Sequence, residues 1–345
     1  MSSLAFELTP AREAGEPPEA RGLARDEVLM MVARRSRADL VHTRFHALAD
    51  HLGPGDLLVI NNSATLPAAV PARRDGAAIE VRFATRAPAA ADADRVVVEL
   101  RTADGASPLR AAAVGEQILL AGGARLELLA PYAASGRLYL ARAEIASGLH
   151  RYLAVHGHPI RYGYVSRRWP LSAYQTAFAA VPGSAEMPSA GRPFTPELVA
   201  RLVAGGTLIA SLTLHTGVSS PERHEPPYPE PYAVPAATAR LVNAVRGWGG
   251  RIVAVGTTVV RALETVAAPD GTVHAGSGWT YLVVSADRRV RAVDGLITGW
   301  HEPEASHLQM LEAIAGEALV RRCYDAALQR GYLWHEFGDS HLILP

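Results

Sequence analysis

The sharpest chemical pattern lies in segment 251–264, where an apolar run ends in a Gly-Thr-Thr turn (Gly256, Thr257, Thr258) and a stretch with helical spacing follows. Glycine lets a backbone approach a ligand closely, and the first-turn N–H groups of a helix favour an anion. Arg261, one helical turn further, would add a planar guanidinium. The pattern therefore predicts an anion-binding turn, although an ordinary strand-to-helix turn capped by threonine has the same residues.

A second pattern is His215, which follows a predicted strand over 207–214 and precedes Gly217. Ligands in α/β sheets bind beyond the carboxyl ends of the strands, and an imidazole there can act as an acid, a base or a hydrogen-bond donor. A single histidine in this position is more often structural. The sequence therefore predicts His215 as a candidate and leaves the structural alternative open.

Four further histidines lie near the C-terminus, in the pairs His301/His307 and His335/His341. A spacing of six residues separates two side chains by about 240° around a helix. The zinc metalloprotease motif instead needs two histidines four residues apart on one helix face. The sequence therefore predicts no metal site, and it leaves His301 as a candidate acid or base.

A loop of small residues, 182–191, precedes a predicted helix start at Thr195. Such a loop lets a flat ligand pack against the backbone, although it is equally compatible with a plain connection. A short polar run comes just before it, at Tyr174, Gln175 and Thr176. Together these segments predict one wall of a binding pocket.

The elements that position these residues fall into two groups. Short predicted strands without intervening helices favour a small all-β barrel or sandwich at 67–146; they cover 78–83, 95–100, 116–120, 124–130 and 137–145. The flanking segments alternate helix and strand, which favours an α/β domain assembled from 1–66 plus 147–345. Within it the spacing predicts helices over 42–52, 147–156, 236–246 and 305–330 (with a break at Gly316) and strands over 251–255 and 281–285.

The composition excludes several classes of protein. Of 345 residues, 49% are hydrophobic, and 34 cationic side chains, all of them arginine, balance 34 acidic ones. This composition excludes wholesale disorder and a strongly basic nucleic-acid coat protein. The single cysteine, Cys323, excludes a disulfide framework within the chain. No apolar run reaches the ~18 residues of a membrane span and no secretory signal is evident, so we expect a cytoplasmic protein without a membrane partner.

The order of these patterns resembles the S-adenosylmethionine:tRNA ribosyltransferase-isomerases of queuosine biosynthesis. The matching blocks run from about residue 40 to 342, and they comprise His42 to Phe45, 55–62, 174–176, 188–191, 213–217, 255–264, 294–303 and 332–339. The resemblance implies a discontinuous α/β barrel-like domain carrying an inserted β-barrel. It also implies that S-adenosylmethionine serves as a ribosyl donor to 7-aminomethyl-7-deazaguanine in the tRNA anticodon. An epoxycyclopentanediol would form, with adenine and methionine leaving.

The same resemblance implies roles for individual residues. His215 and His301 would be the acid/base groups, and the Gly256 turn with Arg261 would hold an anionic part of the donor. The remaining implied substrate-binding residues are Tyr174, Gln175, Thr176, Pro188, Ala190, Gly191, Thr213, Gly217, Glu264, Asp56, Asn61 and Asn62. No permanently bound cofactor and no metal are implied, because S-adenosylmethionine is a co-substrate.

The chain departs from the family pattern at several positions. Ala64 and Ala69 stand where the family has arginines, and Pro193 stands where it has a histidine. Losing cations and a histidine near an RNA substrate changes the chemistry available there. Two alternatives therefore stay open: a paralogue that uses S-adenosylmethionine on another acceptor, and a non-catalytic protein that binds a nucleoside or RNA.

Overall fold

The computed structural model describes residues 4, 6–37, 39–88, 94–133, 136–218, 227–285, 288–303 and 305–345. The strands are β1 (Leu29–Arg34), β2 (Asp39–Arg44), β3 (Leu57–Asn61), β4 (Ser63–Thr65), β5 (Ala69–Arg74), β6 (Ala77–Arg86), β7 (Arg95–Thr102), β8 (Gln117–Leu120), β9 (Arg125–Tyr132), β10 (Leu138–Glu144), β11 (Val181–Ser184), β12 (Leu208–Leu214), β13 (Glu230–Val234), β14 (Ile252–Val255), β15 (Gly276–Thr280), β16 (Gly295–Gly299) and β17 (Ser340–Leu344). The α-helices are α1 (Leu149–His156), α2 (Pro196–Ala204), α3 (Ala236–Gly247), α4 (Thr257–Val266), α5 (Ser306–Ala315) and α6 (Glu317–Arg330).

The larger sheet has nine strands in the order β15-β13-β12-β3-β14-β16-β17-β1-β2. Its central strand β3 is buried throughout, which suits its apolar sequence, and it pairs in parallel with both β12 and β14. Strand β16 is parallel to β14. The carboxyl ends of these four strands therefore meet at one edge of the sheet, where ligands of α/β proteins bind. The mixed α/β class predicted from the sequence is confirmed.

The predicted all-β unit is a closed barrel of six strands in the order β10-β7-β6-β5-β8-β9. Its strands run from Ala69 to Glu144, and a cluster of buried apolar side chains fills the interior. The closed all-β barrel is confirmed. The division of the chain into domains at residues 67 and 146 stays a prediction.

Two predictions of local structure are wrong. The helix predicted over 42–52 is instead the end of β2 followed by a 3-10 helix, Phe45–Asp50, because β2 pairs antiparallel with β1 along its whole length. Pairing of this kind overrides local helical spacing. The strand predicted over 281–285 is displaced to β15, Gly276–Thr280, whose glycines gave no strand signal. The helix start at Thr195 is confirmed, since its hydroxyl accepts from the Leu198 N–H.

The barrel holds a buried charge cluster around Glu99, which is fully buried between Arg101 and Arg137, each 2.9 Å from its carboxylate. Replacing Glu99 by alanine would leave these guanidinium groups without their carboxylate. We expect Glu99→Ala to lower the free energy of unfolding by ~3–5 kcal/mol in urea denaturation. Glu127, which forms a partly exposed pair with Arg142 at 3.0 Å on the barrel, is the control. Its alanine variant should lose no more than ~1 kcal/mol, and equal losses would contradict the argument.

Candidate functional site

A cavity of about 330 Å³ lies at the carboxyl edge of the larger sheet. Its lining comes from many regions of the chain, among them the segment 159–164 after α1, the loop after β11, the residues after β12, the first turn of α4, the segment that follows β16 and residues 335–336. The lining includes polar and aromatic side chains that could bind a ligand or take part in a reaction: Tyr162, Tyr164, Tyr174, Glu186, Glu230, Thr257, Thr258, Arg261, Trp300, His301, Glu302, His307, His335 and Glu336.

The first turn of α4 forms part of the floor, with Gly256, Thr257 and Thr258 all lining the cavity. Gly256 has φ +99°, which a residue with a Cβ rarely adopts, and a Cβ there would lie 3.5 Å from Ala190 Cβ. The Gly256 N–H donates to the carbonyl of Ile297, in β16, at 2.8 Å. The helix therefore starts at the cavity, and its N-terminal N–H groups make this turn a favourable place for an anion.

Arg261 lines the cavity, but protein groups already occupy its guanidinium. It forms an ion pair with Glu230 and donates to the carbonyls of Leu282 (3.0 Å) and Tyr228 (3.1 Å). Burial raises the pKa of Glu230, and the Arg261 charge opposes that rise. In this structure the anion beside Arg261 is Glu230, which also accepts from the Gly217 N–H at 2.9 Å, and the role of Arg261 toward a ligand stays a prediction.

His301 lines the cavity with its ring held in place. Its Nε2 is 2.8 Å from Thr298 Oγ1, and the ring stacks on His307 with centroids 4.4 Å apart. Burial, with the neighbouring His307 as a smaller cause, lowers the pKa of His301 well below its usual range. The imidazole is therefore neutral at pH 7, where it can accept a proton but rarely carries one to give.

One wall of the cavity pairs tyrosines with carboxylates. The Tyr162 hydroxyl donates to Glu186 and the Tyr164 hydroxyl donates to Glu336. The two tyrosine rings stack 6.0 Å apart, and Tyr164 stacks on His335 at 3.9 Å. Burial raises the pKa of Glu336 to about 7. The sequence patterns did not assign a role to this wall, although His335 belongs to one of the two histidine pairs and Glu186 lies in the loop of small residues.

The structure brings nine of the sequence-predicted residues to the cavity and leaves nine outside its lining. Those that line it are Tyr174, Pro188, Ala190, Gly217, Gly256, Thr257, Thr258, Arg261 and His301. Those outside the lining are His215, Gln175, Thr176, Gly191, Thr213, Glu264, Asp56, Asn61 and Asn62.

His215 lies behind the cavity rather than in its lining. Its Nδ1 is 2.7 Å from Ser63 Oγ, which is 2.6 Å from Ser184 Oγ. A Cβ on Gly183 would be 2.5 Å from the His215 ring, so the ring packs flat on that glycine. Burial lowers the pKa of His215. These contacts hold the ends of β4, β11 and β12 together.

The polar residues after β3 also hold backbone in place. Asn61 donates to the carbonyl of Leu214 (2.8 Å) and to Thr258 Oγ1 (3.3 Å), so it ties β12 to the α4 turn. Asn62 accepts from the Thr213 hydroxyl at 2.7 Å. The Gln175 side chain bonds both the N–H (3.0 Å) and the carbonyl (2.8 Å) of Thr65, a lining residue.

The other residues outside the lining have structural contacts of their own. Asp56 pairs with Arg251 at the amino ends of β3 and β14, the opposite edge of the sheet. The Glu264 carboxylate accepts from the N–H groups of residues 291 and 292 at 2.7 and 2.6 Å. Thr176 accepts from the Phe178 N–H at 3.3 Å, and its methyl group lies under Gly191. Their side chains are thus committed to the fold.

Among the residues that the structure describes, no three histidine, cysteine, aspartate or glutamate side chains are grouped so that they could hold a metal ion. Within the same part of the chain, no helix is long and apolar enough to cross a membrane.

Comparison with known proteins assigns the chain to a family. The family model described as "Queuosine biosynthesis protein" matches residues 1–343, and the chain belongs to this family. Proteins named S-adenosylmethionine:tRNA ribosyltransferase-isomerase are similar to it: that of Moorella thermoacetica is 36% identical and that of Thermus thermophilus 34%, each alignment covering 98% of both chains. The crystal structure of the Thermotoga maritima S-adenosylmethionine tRNA ribosyltransferase, 29% identical, covers 98% of this chain and 99% of its own, with a TM-score of 0.55. The family membership predicted from the sequence is confirmed.

The buried histidines behind the cavity predict acid sensitivity. His341 is fully buried and stacks on Trp300, and burial lowers its pKa to about 3. In the unfolded chain this histidine has a pKa near ~6.5 and binds a proton, whereas in the folded protein it stays neutral. The free energy of unfolding therefore falls as the pH drops below ~6.5. His341→Phe keeps an aromatic ring on Trp300. We expect its free energy of unfolding, measured by urea denaturation, to rise by ~2 kcal/mol relative to that of the wild type when the pH is lowered from 7 to 5.

The control for this experiment is His46→Gln, because His46 is exposed. Its stability difference from the wild type should be the same at both pH values. An unchanged difference for His341→Phe would show that His341 does not resist protonation in the folded protein.

Proposed function

We propose that this protein transfers and isomerises the ribosyl unit of S-adenosylmethionine onto 7-aminomethyl-7-deazaguanine in the anticodon of tRNA, with release of adenine and methionine. The observation that carries the proposal is the single cavity shared by His301 and the first turn of α4, in a chain of this family. Since tRNA is the acceptor, the cytoplasmic location predicted from the sequence is part of the proposal.

The α4 turn would receive the carboxylate of the donor's methionine part. The N–H groups of Thr257 and Thr258 stand at the positive end of the helix, and Asn61 holds the Thr258 hydroxyl from behind at 3.3 Å. Because Arg261 is neutralised by Glu230, the helix terminus rather than a free guanidinium would bind the anion. Apolar lining residues such as Val284 and Met310 would keep water from the sulfonium.

His301 would act as the base at the carbon next to the sulfonium. A positive sulfur acidifies that C–H bond, whose proton would pass to the neutral imidazole while its electron pair stays on carbon. The lowered pKa of His301 favours this role over that of the acid that protonates adenine. His215 would be a positioning residue. Its contacts to Ser63 and Gly183 fix the backbone just before Thr216 and Gly217, which line the cavity.

Two alanine variants separate these roles. His301→Ala should lower kcat for adenine release by ~100-fold or more, since it removes a proton acceptor. His215→Ala should raise KM for S-adenosylmethionine while lowering kcat by less than ~10-fold, because it acts through the backbone of the lining. Steady-state kinetics of adenine release would measure both. Near-wild-type turnover by His301→Ala would remove its assignment as the base.

The activity is tested by incubating the full chain with S-adenosylmethionine and following adenine by chromatography. We expect release only when tRNA bearing the aminomethyl-deazaguanine precursor is present, and none with tRNA that carries guanine at that position. Release with a different acceptor, or with none, would support the paralogue. Binding of donor or RNA without any release would support a non-catalytic protein.

A further inference from the structure

We propose that Tyr281 is a stacking platform, an exposed ring on which a base lies flat, for the nucleotide next to the acceptor base. The opening of the cavity would thereby bind a single-stranded stretch of the RNA. The inference rests on the proposed function, and it names the surface that receives the RNA outside the cavity. Neither the sequence patterns nor the cavity lining gave Tyr281 a functional role.

Tyr281 lies beside the opening of the cavity. The next three residues, Leu282, Val283 and Val284, all line the cavity. Val283 is 39% exposed although it belongs to this lining, so it lies where the cavity meets solvent. Tyr281 is 65% exposed and is itself outside the lining. A large aromatic ring therefore lies on the protein surface next to the opening.

The backbone on both sides of Tyr281 is held by the buried Arg261. The Arg261 guanidinium donates to the carbonyls of Thr280 (3.4 Å) and Leu282 (3.0 Å), the two residues that flank Tyr281. The Thr280 hydroxyl also accepts from the Leu282 N–H at 3.2 Å. Arg261 is fixed in turn by its ion pair with Glu230. The ring is thus presented from an ordered backbone, so little backbone freedom is lost when a base stacks on it.

Two further tyrosines lie on the same side of the opening. Tyr228, which lines the cavity, has its ring centroid 6.3 Å from that of Tyr132, the last residue of β9 in the barrel. Tyr281 lies close enough to Tyr132 to contribute, after burial, to raising the pKa of that hydroxyl. Arg261 donates to the Tyr228 carbonyl as well, at 3.1 Å. The opening is therefore aromatic on the side where the barrel meets the sheet.

The continuity of the RNA strand determines what meets this surface. The acceptor base is one nucleotide of a chain, and it has to enter a cavity in which the donor is also bound. It must therefore leave the stack of the anticodon loop, while its neighbours stay outside at the opening. Single-stranded RNA bases stack on exposed aromatic side chains. Tyr281 would replace the stacking partner that a neighbouring base loses when the acceptor base turns into the cavity.

The test measures binding of the full chain to tRNA that carries the aminomethyl-deazaguanine precursor. Tyr281→Ala should raise the Kd for this tRNA by ~10-fold or more, because loss of one aromatic stacking partner has about this effect. Tyr281→Phe, which keeps the ring, should stay within ~2-fold of the wild type. The affinity of both variants for S-adenosylmethionine should not change, which also shows that they are folded.

A fluorescent base reports the contact itself. Aminopurine, whose emission is quenched by stacking, would replace in turn the nucleotide on each side of the precursor. At one of the two positions, the saturated complex with Tyr281→Ala should emit more strongly than the complexes with the wild type and Tyr281→Phe. Equal emission from all three complexes at both positions would overturn the inference.

The control is Trp248→Ala, which removes another exposed aromatic ring. Trp248 is 59% exposed and directly follows α3. A Cβ on Gly55 would be 3.9 Å from its indole nitrogen, so it lies at the amino ends of the parallel strands, the opposite edge of the sheet. Its removal should leave the Kd for tRNA unchanged.

The outcomes separate this inference from the proposed function. An equal Kd for Tyr281→Ala and the wild type, with adenine released, would overturn the inference and leave the proposed function intact. Loss of self-association in Tyr281→Ala, measured by analytical ultracentrifugation, would also overturn it, because a second copy would then cover the ring. If tRNA binding depends on Tyr281 but no adenine is released, the proposed function fails and the inference stands.

Discussion

The parallel alignment of β12, β3, β14 and β16 is the constraint on which the site depends. It places the ends of four strands, which are far apart in the sequence, at one edge of the sheet. Gly217 after β12, the Gly256 turn after β14 and His301 after β16 all line the cavity, and Asn61, the last residue of β3, ties β12 to the α4 turn. The apolar sequence of β3 suits a strand of a parallel sheet that is buried on both faces.

Two parts of the cavity lining differ in their polar groups. At the α4 turn the helix terminus provides positive potential, and the charges of Glu230 and Arg261 neutralise each other. On the wall formed by Tyr162 and Tyr164, the two hydroxyls donate to the carboxylates of Glu186 and Glu336. Burial lowers the pKa values of His301, His307 and His335, so these lining histidines are neutral at pH 7.

Much of this architecture could be predicted from the sequence because its signals are local. The Gly-Thr-Thr turn after an apolar run specifies a strand, a turn and a helix within a few residues, and the structure has all three at Gly256. The barrel was recognisable from short strands without helices. The helix prediction for segment 42–52 was wrong because helical spacing is a local signal, whereas the pairing of β2 with β1 depends on the whole sheet.

The tyrosine–carboxylate wall could not be predicted in the same way. Tyr164, Glu186 and Glu336 lie in three distant segments, and no spacing in the sequence shows that they meet. Nor could the sequence show that Arg261 already has an anion, since Glu230 reaches it through the antiparallel pairing of β13 with β12 and β15. Conversely, Asn61, Gln175 and His215 lie near the cavity but bind other protein groups, because polarity alone does not tell a ligand contact from a contact within the protein.

The donor site is tested by a crystal structure of the protein with S-adenosylmethionine. We expect density for the donor in the cavity of about 330 Å³, with its methionine carboxylate within hydrogen-bond distance of the Thr257 and Thr258 N–H groups and its sulfonium beside His301. Density for the donor at another surface, with this cavity empty, would contradict it.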